Sequence, residues 1–92
     1  QNCCVEVPCR INSEGYLPQK IGYLPEQLAA LMRTNINVQI LTAEAVMTNK
    51  KDHIYHAAML DPLTSSILSI DEIYSMTDKL IKAHKDYLPK FN

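Results

Sequence analysis

The sequence predicts an α+β fold, with an N-terminal β-hairpin followed by a long helix and shorter helices. Three observations carry this. Residues 3–11, CCVEVPCRI, alternate in the manner of a strand and run into the turn residues Asn12-Ser13-Glu14-Gly15. A long stretch with a wide apolar arc is opened by Leu24-Pro25-Glu26 and closed by Asn49. Ser69-Ile70-Asp71-Glu72 matches a capping box ahead of a one-sided apolar stripe.

The hairpin is expected over 3–23. Val5, Val7, Cys9 and Ile11 share one face of its first strand, and Cys4, Glu6, Pro8 and Arg10 share the other. Pro8 cannot donate to a ladder and marks an edge or a strand end. Gly15 suits the positive φ of the turn. Residues 16–23, YLPQKIGY, return as a second, irregular strand.

The long helix is expected over 25–48, with Pro25 in its first turn, Glu26 favourable to the helix dipole and Asn49 ending it. Leu28, Leu31, Met32 and Val46 lie on one side of the wheel, with Ala29, Ile36, Ile40 and Met47 beside them. Glu26, Arg33, Asn37 and Glu44 form its polar stripe. An arc this wide expects neighbours on more than one side, more than 92 residues can supply. Asn35 and Gln39 sit one turn apart within the apolar side, with Thr42 just beyond. Buried amides need partners. Either other helices of this chain satisfy them, or an active site or subunit boundary of a larger protein does.

A short helix is expected over 51–60, after which Asp61 caps and Pro62 opens a new turn. The last helix is expected over 69–88, stopped by Pro89. Its stripe is Ile70, Ile73, Tyr74, Thr77, Leu80, Ile81 and Leu88, opposite Asp71, Asp78, Lys79, Lys82 and Lys85. That pattern belongs on the outside of a fold. Tyr-Leu-Pro occurs at 16–18, 23–25 and 87–89, irregularly and at element boundaries, so it is no structural repeat.

Composition excludes several classes. The 92 residues form one domain at most, with a thin core. Apolar residues make up 47%, a globular value, and the formal charge is -1. With no basic stripe, neither nucleic acid nor an anionic membrane surface is an expected partner. No run is long and apolar enough to span a bilayer, and the first residues lack the basic-then-apolar pattern of a secretory leader. The chain starts at Gln1, inside an expected strand, which predicts a piece cut from a longer protein. Three cysteines, an odd number gathered in nine residues, fit a reduced, cytoplasmic compartment.

Little of this supports chemistry. Cys3 and Cys4 point to opposite faces of a strand, and Cys9 is about 20 Å from Cys3 when extended. Buried thiols acting as small hydrophobes are the expected reading. His53 and His56 stand three apart on the short helix, but two ligands do not make a zinc site. His84 is expected to be partly buried and hydrogen-bonded, or favourable near a helix C-terminus. There is no Gly-rich phosphate loop, nucleophile elbow or zinc motif. The residues alone describe a noncatalytic α+β segment.

A resemblance adds to this. VEVPC at 5–9, Gly15, LPEQLAALMRTNINVQ at 24–39, YHAAMLDPLT at 55–64 and IDEIYSMTDKLIKAH at 70–84 resemble the C-terminal region of glycoside hydrolase family 4. The likeness is to its alpha-galactosidase (melibiase) and alpha-galacturonidase branch. A weaker likeness extends to the C-terminal domains of lactate and malate dehydrogenases, which share a V-P-C strand, a Gly turn, a return strand and a long helix. The resemblance implies that residues 1–92 complete the substrate domain of a larger enzyme. It implies a parent that cleaves O-glycosides with NAD and Mn²⁺, oxidising the sugar at C3, removing the C2 proton, eliminating the glycosidic oxygen and then reversing the oxidation.

The family's dinucleotide fingerprint, metal-binding Cys and His and catalytic Tyr belong upstream of this region. Cys9, His53 and Tyr55 therefore inherit no role, and the chain alone is expected to be inert. Its expected partners are the rest of the parent chain and a second subunit of a homo-oligomer, with Asn35, Gln39 and Thr42 as polar contacts to them. Two other readings stay open. One is the C-terminal part of a 2-hydroxy acid dehydrogenase. The other is an independent helical interaction module with Leu28, Leu31, Ile36 and Ile40 as its sticky face.

Overall fold

The turn at Asn12 sets the register of the N-terminal hairpin. In the computed structural model, which describes residues 3–92, Asn12 Oδ1 accepts the Glu14 backbone N–H at 2.9 Å, and Gly15 has φ 126°. Strand β1 (Cys9–Asn12) pairs antiparallel with β2 (Gly15–Pro18), with Arg10 opposite Leu17 and Ile11 opposite Tyr16. The ladder is much shorter than the hairpin expected over 3–23. Residues 3–8 and 19–23 lie outside it, except that Gln19 donates its backbone N–H to the Pro8 carbonyl. With Pro8 and Pro18 at its open end, the ladder has few backbone donors with which to continue.

Helix α1 (Glu26–Thr48) begins one residue after Pro25 and ends at Asn49, whose φ of 55° is the left-handed stop expected from its residue type. Helix α2 (Asp52–Leu60) follows after a short link. Asp61 then caps α3 (Pro62–Ile67) by accepting the Thr64 backbone N–H at 2.8 Å. At the start of α4 (Ile70–Ala83) both halves of the capping box form: Ser69 Oγ accepts from Glu72 N, and Glu72 Oε2 accepts from Ser69 N at 2.8 Å. No helix among the described residues is long and apolar enough to cross a membrane.

Helix α4 stops five residues earlier than expected. His84 donates the last helical bond, to Leu80, and a turn closes from Tyr87 N to His84 O. The chain then doubles back. Asn92 N donates to Asn49 O at 2.7 Å and Lys51 N donates to Asn92 O at 3.1 Å, with Phe91 half-buried beside them. A helix continued to residue 88 would carry the chain about 7 Å further in the wrong direction.

The core is small. Ala45 of α1, Tyr55 and Ala57 of α2, and Ile73 and Thr77 of α4 are buried. Alanine at 45 and 57 lets α1 and α2 approach closely, and Thr77 Oγ1 satisfies itself on Ile73 O at 2.8 Å. The Tyr55 and Tyr74 rings stack with centroids 4.7 Å apart. Outside this nucleus the chain is open. Its radius of gyration is 17.1 Å, whereas a compact domain of this length has about 12 Å. It exposes 7939 Å², whereas a folded monomer of its mass exposes about 5,400 Å².

Candidate functional site

The excess surface has a definite location. Helix α2 has nine residues and α1 has twenty-three, so α2 extends about 14 Å along a helix of about 35 Å. The flank of α1 that is covered carries Leu41 and Ala45, with Asn37 and Val38 half-buried at its margins. Beyond the reach of α2 and on the side adjoining that flank, Leu28, Leu31, Met32 and Val46 are 47%, 68%, 43% and 53% exposed.

Asn35, Gln39 and Thr42 lie in the middle of that same face, and all three are exposed. The expectation that other helices of this chain bury and satisfy them is corrected, because among the described residues no second layer covers this side of α1. Their helical positions still line up, one turn apart. Gln39 and Thr42 line a shallow apolar trough with Val38, Ala43, Val46 and Met47. Thr42 Oγ1 returns its proton to Val38 O at 2.8 Å, which leaves its lone pairs toward solvent. The face therefore offers apolar area punctuated by amide and hydroxyl groups, the composition of a packing surface with hydrogen-bonded fixed points.

A second cluster escaped the sequence reading. Asp78, read as part of the solvated stripe, accepts from Tyr55 Oη at 2.5 Å and from Lys51 Nζ at 3.1 Å. Lys51 Nζ also lies 5.1 Å from the centre of the Tyr55 ring. The Tyr55 hydroxyl first, then the Lys51 ammonium, hold the Asp78 carboxyl below the usual carboxylate range. Tyr55 and then Asp78 hold the Lys51 ammonium above its ordinary value. These partners are 23 and 27 residues apart, so no local motif announces them. The cluster ties α4 to the start of α2, which makes it a structural clasp.

The cap carboxylates behave similarly. Thr64 backbone and side-chain donors lower Asp61, and Ser69 donors lower Glu72. Each folded-state value lies below the unfolded one, so on acidification the unfolded chain takes up these protons first. The stability contributed by Asp61, Glu72 and Asp78 is whole above the ordinary carboxylate value and is lost as pH falls through the folded values. Thermal unfolding followed by circular dichroism should show a midpoint that drops between about pH 5 and about pH 3. A midpoint that rises over that window would contradict the cap and clasp geometry.

The remaining candidates do not assemble into a reaction centre. Cys3, Cys4 and Cys9 are free and exposed, which corrects the expectation of buried thiols: among the described residues, nothing packs on either face of the hairpin. Cys3 and Cys4 also lie outside the strand that was expected to separate them. The His53 and His56 rings meet edge to face with centroids 6.3 Å apart, and His53 Nδ1 is buried without a partner. His84 is exposed at the C-terminal end of α4. Among the described residues, no three His, Cys, Asp or Glu side chains could hold a metal ion together. Gly15 lies in the hairpin and Gly22 in the loop before α1, so neither opens the helix-capping turn that cradles a dinucleotide phosphate. Among the described residues, this donor set and these glycine positions do not fit either NAD or a divalent metal.

Known proteins resemble this chain strongly. The family described as "Family 4 glycosyl hydrolase C-terminal domain" matches residues 1–64. An alpha-galactosidase of Bacillus subtilis (strain 168) is 54% identical over 87 residues, which is 95% of this chain and 20% of that protein. An alpha-galactosidase of Rhizobium meliloti (strain 1021) is 32% identical over 68 residues, 74% of this chain and 14% of that protein. A 6-phospho-alpha-glucosidase of Leptotrichia buccalis is 34% identical over 87 residues, 92% of this chain and 19% of that protein. The chain thus spans a fifth or less of the length of these curated relatives. No solved structure matches it.

Proposed function

The chain belongs to the family 4 glycosyl hydrolases, and from that premise we propose that it is the C-terminal structural part of an NAD- and divalent-metal-dependent alpha-galactosidase. The observation that carries the substrate class is the 54% identity to an alpha-galactosidase over nearly the whole chain, against 34% to a 6-phospho-alpha-glucosidase over a similar span. Alpha-galacturonides are the nearest alternative substrate. Family membership sets aside the 2-hydroxy acid dehydrogenase and the free-standing interaction module.

In the parent, residues outside this chain would hold NAD and Mn²⁺, which would supply redox and charge-stabilising chemistry to the bound sugar. This chain's residues contribute no atom to that chemistry. Their part is positional. The open face of α1 packs against the rest of the parent chain or a second subunit, and Asn35, Gln39 and Thr42 exchange hydrogen bonds there. We read the parent as cytoplasmic, a reading supported by three unpaired thiols, which suit a reducing compartment.

The test is hydrolysis of p-nitrophenyl alpha-galactoside, alpha-galacturonide and 6-phospho-alpha-glucoside by the full-length parent with NAD, Mn²⁺ and a reductant. Turnover of the alpha-galactoside, lost on chelation or NAD removal, is expected, with none by the 92-residue chain. Preference for the phosphorylated glucoside, or turnover by the isolated chain, would refute this reading.

A further inference from the structure

Prolines make the two outer edges of the hairpin unequal. Antiparallel pairs alternate between those that exchange backbone hydrogen bonds and those that do not. Gln19 N donates to Pro8 O at 2.9 Å, so Pro8–Gln19 is a bonded position. Counting along the register, Arg10–Leu17 and Asn12–Gly15 are bonded, while Cys9–Pro18 and Ile11–Tyr16 are not. The backbone groups of Cys9, Ile11, Tyr16 and Pro18 therefore point away from the hairpin.

The edge of β2 is broken there, because Pro18 has no N–H. The edge of β1 is intact. Cys9 and Ile11 each present a donor and an acceptor outward, and Pro8 turns its missing donor inward, toward Gln19. The same four outward residues share one face, on which Ile11 is 80% and Tyr16 78% exposed. A two-stranded hairpin uncovered on both faces is marginal in water, and an open edge templates wrong pairings.

We infer that the outer edge of β1 receives a third strand, an extended segment of the same polypeptide outside residues 1–92, apolar at alternate positions. It pairs with the backbone of Cys9 and Ile11 and extends the Ile11–Tyr16 face. The inference rests on the reading of the chain as part of a longer glycosidase. The length of the relatives favours this occupant, since the chain covers only 20% of the Bacillus protein and most of such a protein lies outside this hairpin.

The test is residue-resolved amide hydrogen exchange on the full-length protein. The Cys9 and Ile11 amides should exchange at least roughly 100-fold more slowly than the Tyr16 amide. Equal rates, or a slow Tyr16 beside a fast Ile11, would overturn the inference. So would protection that disappears on dilution, because the occupant would then be a second copy. Alpha-galactoside hydrolysis is assayed on the same preparation. Turnover with unprotected Cys9 and Ile11 defeats the third strand alone, and protection without turnover defeats the glycosidase reading alone.

Discussion

Replacing Ile73 by alanine lowers the stability of the chain by about 2–5 kcal/mol, measured by urea unfolding. Ile73 is 2% exposed and is the largest fully buried side chain among the described residues. It lies on α4, which packs against α2 and α3. Truncating it removes apolar contacts and leaves a cavity that the packed helices collapse into only partly. A domain of this size has roughly 5–14 kcal/mol in total, so one residue accounts for a large share. Ile70→Ala, three residues earlier on the same helix, is the control. Ile70 is 64% exposed, and its truncation should stay within about 0.5 kcal/mol in the isolated chain. If Ile73→Ala is as mild as Ile70→Ala, the core has been located wrongly.

The double change Leu28→Asp and Leu31→Asp behaves differently in two contexts. In the 92-residue chain both side chains are exposed, so the effect is within about 1 kcal/mol and self-association decreases. Under the proposed packing of this face, the same two carboxylates are forced into an apolar contact in the full-length protein. Each then carries a desolvation cost of about 2 kcal/mol or more, and folded protein is lost. The comparison needs only soluble yield and a melting curve for each form. Equal tolerance in the two contexts would mean that nothing covers this face of α1, and the packing role would fall.

Local chemistry was readable because its partners are close in sequence. Ser69 and Glu72, Asp61 and Thr64, and Asn49 at the end of α1 all act within a few residues, so residue type and spacing specify the bond. The length of α1 and the order of hairpin and helices follow from the same short-range signals. The face holding Asn35, Gln39 and Thr42 was also legible as a face, from helical period alone.

What covers each face was not. Periodicity says which side chains align but not which stripe finds a neighbour, and a short α2 selected the Leu41–Ala45 flank over the larger apolar one. The same limit hid the partners of Asp78. Its carboxylate is solvated as its stripe predicts, 59% exposed, yet Lys51 and Tyr55, distant in sequence, bond to it.

The sequence by itself determined the element types, their caps and the surplus of apolar area, because these depend on local bonds and on composition, and its resemblance to known sequences gave the family. Only the tertiary structure decided that α4 stops at Ala83, that the three thiols are uncovered, that Asp78 clasps Lys51 and Tyr55, and which edge of the hairpin stays open. Each depends on where distant segments meet, and that is settled by the packing of whole elements rather than by the residues adjacent in the chain.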